Sequence, residues 1–483
     1  MRKESFKTLL LTVLFVLSVG LTQQLWVGIP MAEILPSTRT VENNEIKNYD
    51  ITTLMMNVIS PQSFAINFGG GYHTVFFSDA YDIWSGAVSV LRAYYEQEVA
   101  VEEISVERWN SVNDFRSVRM DFDYDVPVGV LKTAVQGKDL GLQGKLTSFR
   151  SLLIPVTEEA TLYISNPAEQ KFYRVKAKEV MGNMSEIINT IEQNGFDHYF
   201  TVKDIMGVEN ITLMPIALSE NISKIKVIQE VDTTNARQVE PLAGTFFGEN
   251  FDFVRKITET NGAVIYIYGY GQKALKIDAT GMVEYNEEAD TQRAAAAAEL
   301  SEALRTAVKF VTEHGDWPKE AYLKAIVERE KDKRKGYLFL FGYRLNGLPV
   351  YYYDKVVRAP IEVEVTGRQV TYYKRYVKRE KIDVTFLEKL DNRSILSPQQ
   401  VLDKNFDYIK SIFLEDVGEK GKEIPENDIL KEILSSIYGV ELGYYDQPMG
   451  ERDSLVPIWI IKLQKHRYYF DAYKGTILNR SEL

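Results

Sequence analysis

The longest hydrophobic stretch of the chain lies at its amino terminus. Thr8–Ala32 is a run of 25 residues without a charge, and it follows a short segment that contains Arg2, Lys3 and Lys7. As a helix, Leu9–Ile29 would measure about 31 Å, close to the roughly 30 Å thickness of the hydrocarbon core of a bilayer. The pattern therefore predicts a transmembrane anchor over residues 1–31. The positive-inside rule places its amino terminus in the cytoplasm and the remaining chain outside.

A cleaved signal peptide is the alternative interpretation of this stretch. Its apolar region would be Leu9–Leu21, but Ser18-Val19-Gly20 is a poor cleavage site, and the chain has no cysteine for a lipobox. Beyond Pro30 no uncharged run approaches membrane length. We therefore favour a single-pass protein of the cell membrane with an uncleaved anchor.

Helical and strand patterns alternate through residues 32–235, which we predict to be an N-terminal extracellular α+β domain. Ile83–Glu96 has apolar residues at helical spacing. Arg116–Val128 alternates as a strand with one apolar and one charged face, and we interpret the charged face as the solvated side of a sheet. That face carries Arg119, Asp121, Asp123 and Asp125. The turn-rich segment Thr233–Pro241 is interpreted as a linker.

Two further domains complete the predicted α+β organisation of antiparallel sheets with packed helices. Residues 236–290 form a small middle domain, with a helix over 251–260 and a glycine-punctuated hairpin. Residues 291–483 form a C-terminal domain of two similar units, 291–380 and 391–483, each a set of helices followed by a small sheet. The predicted elements of these units are helices over 291–311, 319–330, 398–414 and 428–436, hairpins over 337–353, 361–376 and 468–478, and strands over 440–445 and 458–464.

Composition excludes several function classes. The charge balance of 57 − 68 = −11 disfavours a nucleic-acid partner, because a surface that binds phosphates needs surplus positive charge. The absence of cysteine excludes disulfides, thiolate metal sites and cysteine nucleophiles. Two basic runs, at 328–336 and 373–381, stand beside acidic residues and are interpreted as solvated surface.

Motifs for catalysis or cofactor binding are absent from the sequence. It contains no HExxH, GxSxG, GxGxxG or P-loop pattern. Asp121-x-Asp123-x-Asp125 resembles the opening of a calcium loop, but Val126 and Lys132 stand where that loop needs glycine and glutamate. Gly69–Gly71 beside His73 is the most site-like local cluster, and we interpret it as a tight turn with a histidine at its rim. We expect no enzyme activity, no cofactor and no metal.

Taken together, several segments resemble the YycH family of regulators of the WalK/WalR (YycG/YycF) two-component system. The resemblance is carried by the N-terminal anchor and by five segments that follow it in the family's order: 60–79, 246–278, 336–353, 361–375 and 457–478. It implies a single-pass membrane protein with an extracellular region of three α+β domains, of which the C-terminal one is similar to YycI. It also implies association with the sensor histidine kinase (WalK/YycG type), modulation of its autophosphorylation, and YycI as a further partner. The resemblance supplies no catalytic residues.

If the anchor must recognise partner helices, its small and hydrogen-bonding residues are the leading contact candidates. These residues are Thr12, Ser18, Gly20, Thr22 and Gln23. The alternative is that Ser and Thr bond their own backbone and Gln23 reaches the interface. A second function remains open, an anchored extracellular module that binds a cell-wall polymer or peptide, and a cell-wall enzyme is a third.

Overall fold

The structure is a computed structural model that describes most residues of the chain from Asp50 onward. These residues are 50–482, apart from 139–140, 143, 167–168, 220, 291–298, 332–333, 353–357, 382–393, 419–423 and 448–452. Within them, none of the helices combines the length and the apolar character that crossing a bilayer requires. The predicted anchor lies outside the described residues and stays a prediction.

A nine-stranded antiparallel sheet organises the N-terminal part, in the order β3-β7-β6-β5-β4-β1-β2-β8-β9. Its strands are β1 Ser63–Gly69, β2 Tyr72–Phe76, β3 Ala100–Ile104, β4 Ser117–Pro127, β5 Ser148–Pro155, β6 Thr161–Asn166, β7 Lys171–Lys176, β8 Tyr199–Thr201 and β9 Leu213–Pro215. Its helices are α1 Ile51–Val58, α2 Ile83–Glu96, α3 Val106–Val112, α4 Val128–Val135, α5 Met184–Asn194 and α6 Val202–Met206. The helices α1, α2, α4 and α5 cover one face of this sheet, and α3 lies on the other.

Helix α2 shows why these segments form the observed elements. Its buried side chains follow helical spacing from Ile83 and Trp84 to Tyr94 and Tyr95, and they pack with Val118 and other apolar residues of the sheet. The Trp84 indole donates to the Met56 carbonyl at 2.7 Å, which fixes α2 against α1. The helix predicted over Ile83–Glu96 is confirmed.

A second sheet has eight antiparallel strands in the order β11-β12-β13-β14-β20-β19-β16-β15. Its strands are β11 Arg255–Thr258, β12 Val264–Tyr268, β13 Lys273–Ile277, β14 Val283–Glu287, β15 Tyr322–Lys331, β16 Arg334–Gly342, β19 Ile361–Thr366 and β20 Gln369–Arg375. Helix α7 (Ala236–Phe247) and helix α8 (Leu300–Glu313) contribute to its core. The buried face of α8 carries Ala303, Leu304, Ala307, Val308 and Val311, which packs it on this sheet.

A third sheet, also of eight strands, runs β17-β18-β22-β23-β10-β21, with β24 beside β23 and β25 beside β24. Its strands are β10 Ile225–Gln229, β17 Arg344–Leu345, β18 Leu348–Tyr352, β21 Lys378–Glu380, β22 Ile437–Asp446, β23 Ser454–Leu463, β24 His466–Asp471 and β25 Ile477–Glu482. Helices α9 Pro398–Lys404, α10 Phe406–Val417 and α11 Glu426–Ser435 pack against it. Among the described strand pairs, β18 with β22 is parallel and the others are antiparallel.

The two halves of the predicted C-terminal domain have similar strand orders, and the duplication itself stays a prediction. Helix α8 precedes the consecutively paired antiparallel strands β15-β16-β19-β20, and helices α9, α10 and α11 precede β22-β23-β24-β25. The hairpins predicted over 361–376 and 468–478 are confirmed, and each turns at a glycine with positive φ, Gly367 and Gly475. Similarity to YycI stays a prediction.

Three predicted elements are wrong. The helix predicted over 319–330 is strand β15, because this segment pairs with β16 at the edge of a sheet, where charged residues are common. The helix predicted over 251–260 is a 3-10 turn, Gly248–Phe253, followed by β11. The linker predicted over Thr233–Pro241 contains the start of α7. Burial of the apolar face of this helix stabilises it although Pro241 lies within it. In addition, the helix predicted over 398–414 is divided at Asn405 into α9 and α10.

Hydrogen bonds join segments that the sequence analysis assigned to different domains. Strand β10 belongs to the predicted 32–235 domain, yet it pairs with β21 and β23 of the C-terminal domain. Strand β14 of the predicted 236–290 domain pairs with β20 in the same way. The segments therefore share sheets, and the domain boundaries stay a prediction.

Candidate functional site

A cleft of about 520 Å³ lies between the nine-stranded sheet and the first half of β22. The sheet contributes Ala65 of β1 and Arg119 of β4, α3 contributes Trp109, and β22 contributes Tyr438 and Glu441. Its volume falls within the range of small-molecule and peptide pockets. This cleft is the candidate functional site of the described residues.

The charged face of β4 forms one wall of the cleft, and this corrects the prediction of a solvated face. The predicted alternation along the strand is confirmed. The side chains of Asp121 and Asp125 are 30% and 35% exposed, but that of Asp123 is only 5% exposed. Asp123 is buried because side chains of β23 and β24 reach it.

Four charged side chains form what we call the cleft cluster: Asp123, Glu441, Lys462 and Arg467. The Lys462 ammonium donates to Asp123 Oδ1 at 2.9 Å and also to Glu441 Oε1. The Arg467 guanidinium donates to the same Asp123 oxygen at 2.8 Å. Each carboxylate in the cluster therefore faces at least one cation.

Two neutral side chains also form hydrogen bonds with Glu441. Its Oε2 accepts a hydrogen bond from the Tyr351 hydroxyl at 2.8 Å and from Gln62 Nε2 at 2.9 Å. Gln62 Nε2 also lies 2.9 Å from the Tyr351 hydroxyl oxygen. The cleft cluster and these two neutral partners therefore connect the segment after α1 with β4, β18 and the strands β22 to β24.

The electrostatics of the cleft cluster favour its charged form. Burial alone would raise the pKa of Asp123, but attraction to Lys462, Arg467 and Lys324 outweighs burial and holds that pKa well below its usual value. Burial opposes the charge of Lys462, while Asp123 and Glu441 raise its pKa. Asp123 and Lys462 therefore stay ionised at neutral pH, so they suit recognition better than proton transfer.

Lys324 of β15 is the exception among the charges around the cleft cluster. Burial, together with repulsion from Arg467 and Lys462, lowers its pKa to about 8, although Asp123 attracts it. Its ammonium lies 5.1 Å from the centre of the Tyr351 ring. The folded protein therefore disfavours the positive charge of Lys324.

A second group of charges, which we call the junction cluster, joins the two eight-stranded sheets. Arg375 of β20 donates to both oxygens of Glu230 at 2.6 and 2.9 Å, and Arg379 of β21 donates to one of them at 2.6 Å. Lys378 donates to Asp446 at 2.7 Å. The basic run at 373–381 was predicted to be solvated surface, which is wrong for Arg375 and Lys378, because both are buried in these ion pairs.

The Gly69–Gly71 turn connects β1 and β2, and its three glycines have φ values of 88°, 66° and 80°. His73 was predicted to lie at the rim of this turn, but it is 2% exposed. Because Asn67 Nδ2 donates to Ser117, its Oδ1 accepts from His73 Nδ1 at 2.8 Å. Burial lowers the pKa of His73, so the ring is neutral and structural.

The five predicted anchor residues, Thr12, Ser18, Gly20, Thr22 and Gln23, lie outside the described residues. Within the described part of the chain, no group of three or more His, Asp or Glu could hold a metal ion. The sequence did not predict the cleft cluster, because Lys462 and Arg467 lie 339 and 344 residues away from Asp123 in the sequence. Three carboxylates at alternate positions of β4 were the available signal.

Two comparisons with known proteins bear on the predicted family resemblance. Residues 4–194 match the family model described as YycH protein, N-terminal domain. Residues 4–194 of this chain are therefore similar to the N-terminal domain of YycH proteins. The predicted resemblance to the YycH family is thus confirmed.

A solved structure supports the YycH assignment at the level of the fold. The crystal structure of YycH from Bacillus subtilis matches with a TM-score of 0.52 and 13% sequence identity, over 88% of this chain and 96% of that chain. At this identity the match establishes a shared fold. No curated protein matches the sequence significantly.

Proposed function

We propose that the chain is a single-pass membrane protein that regulates the sensor histidine kinase of a WalK/YycG-type two-component system. The observation that carries the proposal is the YycH N-terminal domain over residues 4–194. In this proposal the extracellular part modulates the kinase's autophosphorylation, and YycI is a co-partner. The chain acts through contacts and not through catalysis.

Contacts between transmembrane helices supply the energy for this regulation. Polar contacts between helices in a bilayer contribute about 0.6–2 kcal/mol each. A differential contact energy of about 1.4 kcal/mol between two kinase states shifts their equilibrium tenfold. A few contacts from Ser18, Thr22 and their neighbours are therefore sufficient.

A bacterial two-hybrid assay between the full chain and the kinase tests the anchor contacts. We expect the double substitution Ser18→Leu and Thr22→Leu to weaken association, because it removes two hydrogen-bonding side chains from one helix face. The matched control is Val13→Leu with Val16→Leu, which keeps the span apolar. If both variants associated with the kinase as strongly as the wild-type chain does, the proposed contacts would be contradicted. Normal regulation of the kinase by a chain without residues 1–31 would contradict the anchored mechanism.

The cleft favours a second candidate function, an anchored extracellular module that binds a cell-wall peptide or polymer. Tyr438 is 47% exposed and lines the cleft, so Tyr438→Ser should weaken binding of cell-wall fragments to the full chain in isothermal titration. The control is Tyr408→Ser, which alters a similarly exposed tyrosine of α10. Absence of binding by the wild-type chain would leave kinase regulation as the favoured function.

A further inference from the structure

The hairpin of β12 and β13 ends in an unusually exposed tyrosine. Tyr270 has a relative exposure of 111%, so no other described side chain shields it. It stands at φ 55° between Gly269 at φ 59° and Gly271 at φ 100°. Glycine or asparagine adopts this left-handed conformation with less strain than tyrosine does. A strained and fully solvated aromatic residue points to a function outside the fold's own packing.

A second exposed aromatic residue lies at the same end of the sheet. Phe253 is 79% exposed, and one residue, Val254, separates it from the start of β11. Because Arg255 pairs with Ile267, the register carries Phe253 toward the level of Gly269 at the hairpin tip. The Tyr268 hydroxyl lies 3.2 Å from Asn250 Oδ1, which ties the 3-10 turn to the hairpin. We call Phe253 and the 268–272 loop the aromatic tip.

The hairpin that forms the aromatic tip has almost no charge to desolvate. Thr260–Gln272 contains thirteen consecutive uncharged residues. The nearest lysines along the neighbouring strands are paired, Lys273 with Glu287 at 3.3 Å and Lys256 with Glu240 at 2.8 Å. Asp252 and Arg255 flank Phe253 with opposite charges. The tip can therefore leave water without stranding an unpaired charge in the hairpin.

The size and shape of the aromatic tip indicate what it binds. Two aromatic side chains bury roughly 300–500 Å² together, which is less than the roughly 800 Å² that each partner buries in a stable protein interface. A small projecting tip instead suits the membrane interface, where amphipathic tyrosine rings and phenylalanine are accommodated. For a chain that is already anchored, a weak second contact is sufficient, because tethering makes it intramolecular.

We propose that the aromatic tip inserts into the outer interface of the bilayer in which the chain is anchored, and thereby fixes how the extracellular unit faces the membrane. The inference rests on the proposed anchor. Residues 30–49 separate the predicted span from α1 and can extend at most about 70 Å, so the tether holds the unit near the bilayer.

The cysteine-free sequence makes a site-specific test direct, because one introduced cysteine is the only labelling site. Full-length Tyr270→Cys and Phe253→Cys are labelled with a polarity-sensitive fluorophore and reconstituted into phosphatidylglycerol/phosphatidylethanolamine vesicles that contain spin-labelled lipid. We expect a shift of emission to shorter wavelength and strong quenching at both positions. The control is Met181→Cys, which is 81% exposed in the N-terminal part and should remain unquenched.

Four outcomes distinguish the possibilities. Quenching at 270 and 253 well above that at 181 supports membrane insertion. Quenching at 270 equal to that at 181, in protein that floats with the vesicles, overturns the inference and leaves the anchor intact. A spectral shift that appears only after the kinase is added assigns the tip to a protein partner and also overturns it. Failure of the unlabelled full chain to float overturns both the anchor and the inference.

Discussion

The cleft cluster and the junction cluster use the same chemistry in different surroundings. In the junction cluster, Arg375 and Glu230 are 4% and 9% exposed and meet through two hydrogen bonds. In the cleft cluster, Lys462 and Arg467 are 11% and 17% exposed and line an open cavity of about 520 Å³. The first cluster closes a contact between two sheets, whereas the second keeps charged groups accessible to a ligand. The cavity beside the cations, and not the presence of an ion pair, therefore separates a candidate binding site from a structural site.

The largest expected effect is at the junction cluster. Arg375→Ala should lower the free energy of unfolding by about 3–5 kcal/mol, because it leaves the buried Glu230 carboxylate without its bidentate partner. Denaturant unfolding of the variant measures this loss. The control is Arg379→Ala, which removes a 64% exposed partner of the same carboxylate and should cost about 0–1 kcal/mol. Equal losses in the two variants would contradict the larger contribution that we assign to the buried guanidinium of Arg375.

The cleft cluster should tolerate the loss of a carboxylate better. Asp123→Asn is expected to cost about 1–3 kcal/mol, because Lys462 keeps Glu441 as a partner and Arg467 is near solvent. Asp125→Asn is the control, since Asp125 pairs with Arg150 on the exposed part of the same strand face and should cost about 0–1 kcal/mol. A loss at Asp123 as large as that in Arg375→Ala would show that the cleft cluster is also a structural clamp.

Acid should destabilise both clusters. Burial would raise the pKa of Glu230, but Arg375 and Arg379 outweigh it, and the pKa of Asp123 is lowered by Lys462 and Arg467. Because both folded-state pKa values lie below the usual ones, the stabilisation is complete above about pH 4.5 and is lost as pH falls through the lowered values.

The slope of unfolding free energy against pH measures this acid effect, with at most about 1.4 kcal/mol per pH unit for each group. Glu230→Gln and Asp123→Asn should each flatten the slope below pH 4.5. An unchanged slope in Glu230→Gln would contradict a lowered pKa at that carboxyl.

The smallest effect is expected at Lys324. Lys324→Met should raise the free energy of unfolding at pH 7 by about 1 kcal/mol, because it removes a cation whose pKa is lowered to about 8. In the wild type, stability should rise between pH 8 and 10.5, where the unfolded chain still holds a proton that the folded state has released. This rise should disappear in Lys324→Met and persist in the exposed-lysine control, Lys276→Met. A destabilised Lys324→Met would indicate that Lys324 is a favourable member of the cleft cluster.

Elements with strong local patterns were predictable from the sequence. The α2 helix places apolar residues on one face at every turn, and the β19–β20 hairpin combines alternation with a glycine turn. In both, local propensity and tertiary burial agree. Such agreement explains why the bounds of α2 were predicted from residues alone.

Where local preference and tertiary context disagree, the prediction failed. Strand β15 contains Ala325 and a charged half at 328–331, a composition that favours a helix, and a bulge between Leu323 and Ala325 disturbs its alternation. Helix α7 was not predicted, because Pro241 lies within it and proline usually ends a helix, although Asn235 caps its first turn. The cleft cluster required the topology itself, because no local pattern brings Asp123 to Lys462.

Strand β10 also constrains the order in which the protein can be made. Ile225 pairs with Leu455, 230 residues later in the chain. At roughly 5–20 residues per second, synthesis of that partner follows by about 12–46 seconds. Until then the inner edge of β10 has no β23 beside it, so the third sheet assembles only near the end of translation. Premature termination before β23 would therefore leave β10 without this partner, and its open strand edge would be suited to recognition by chaperones and proteases.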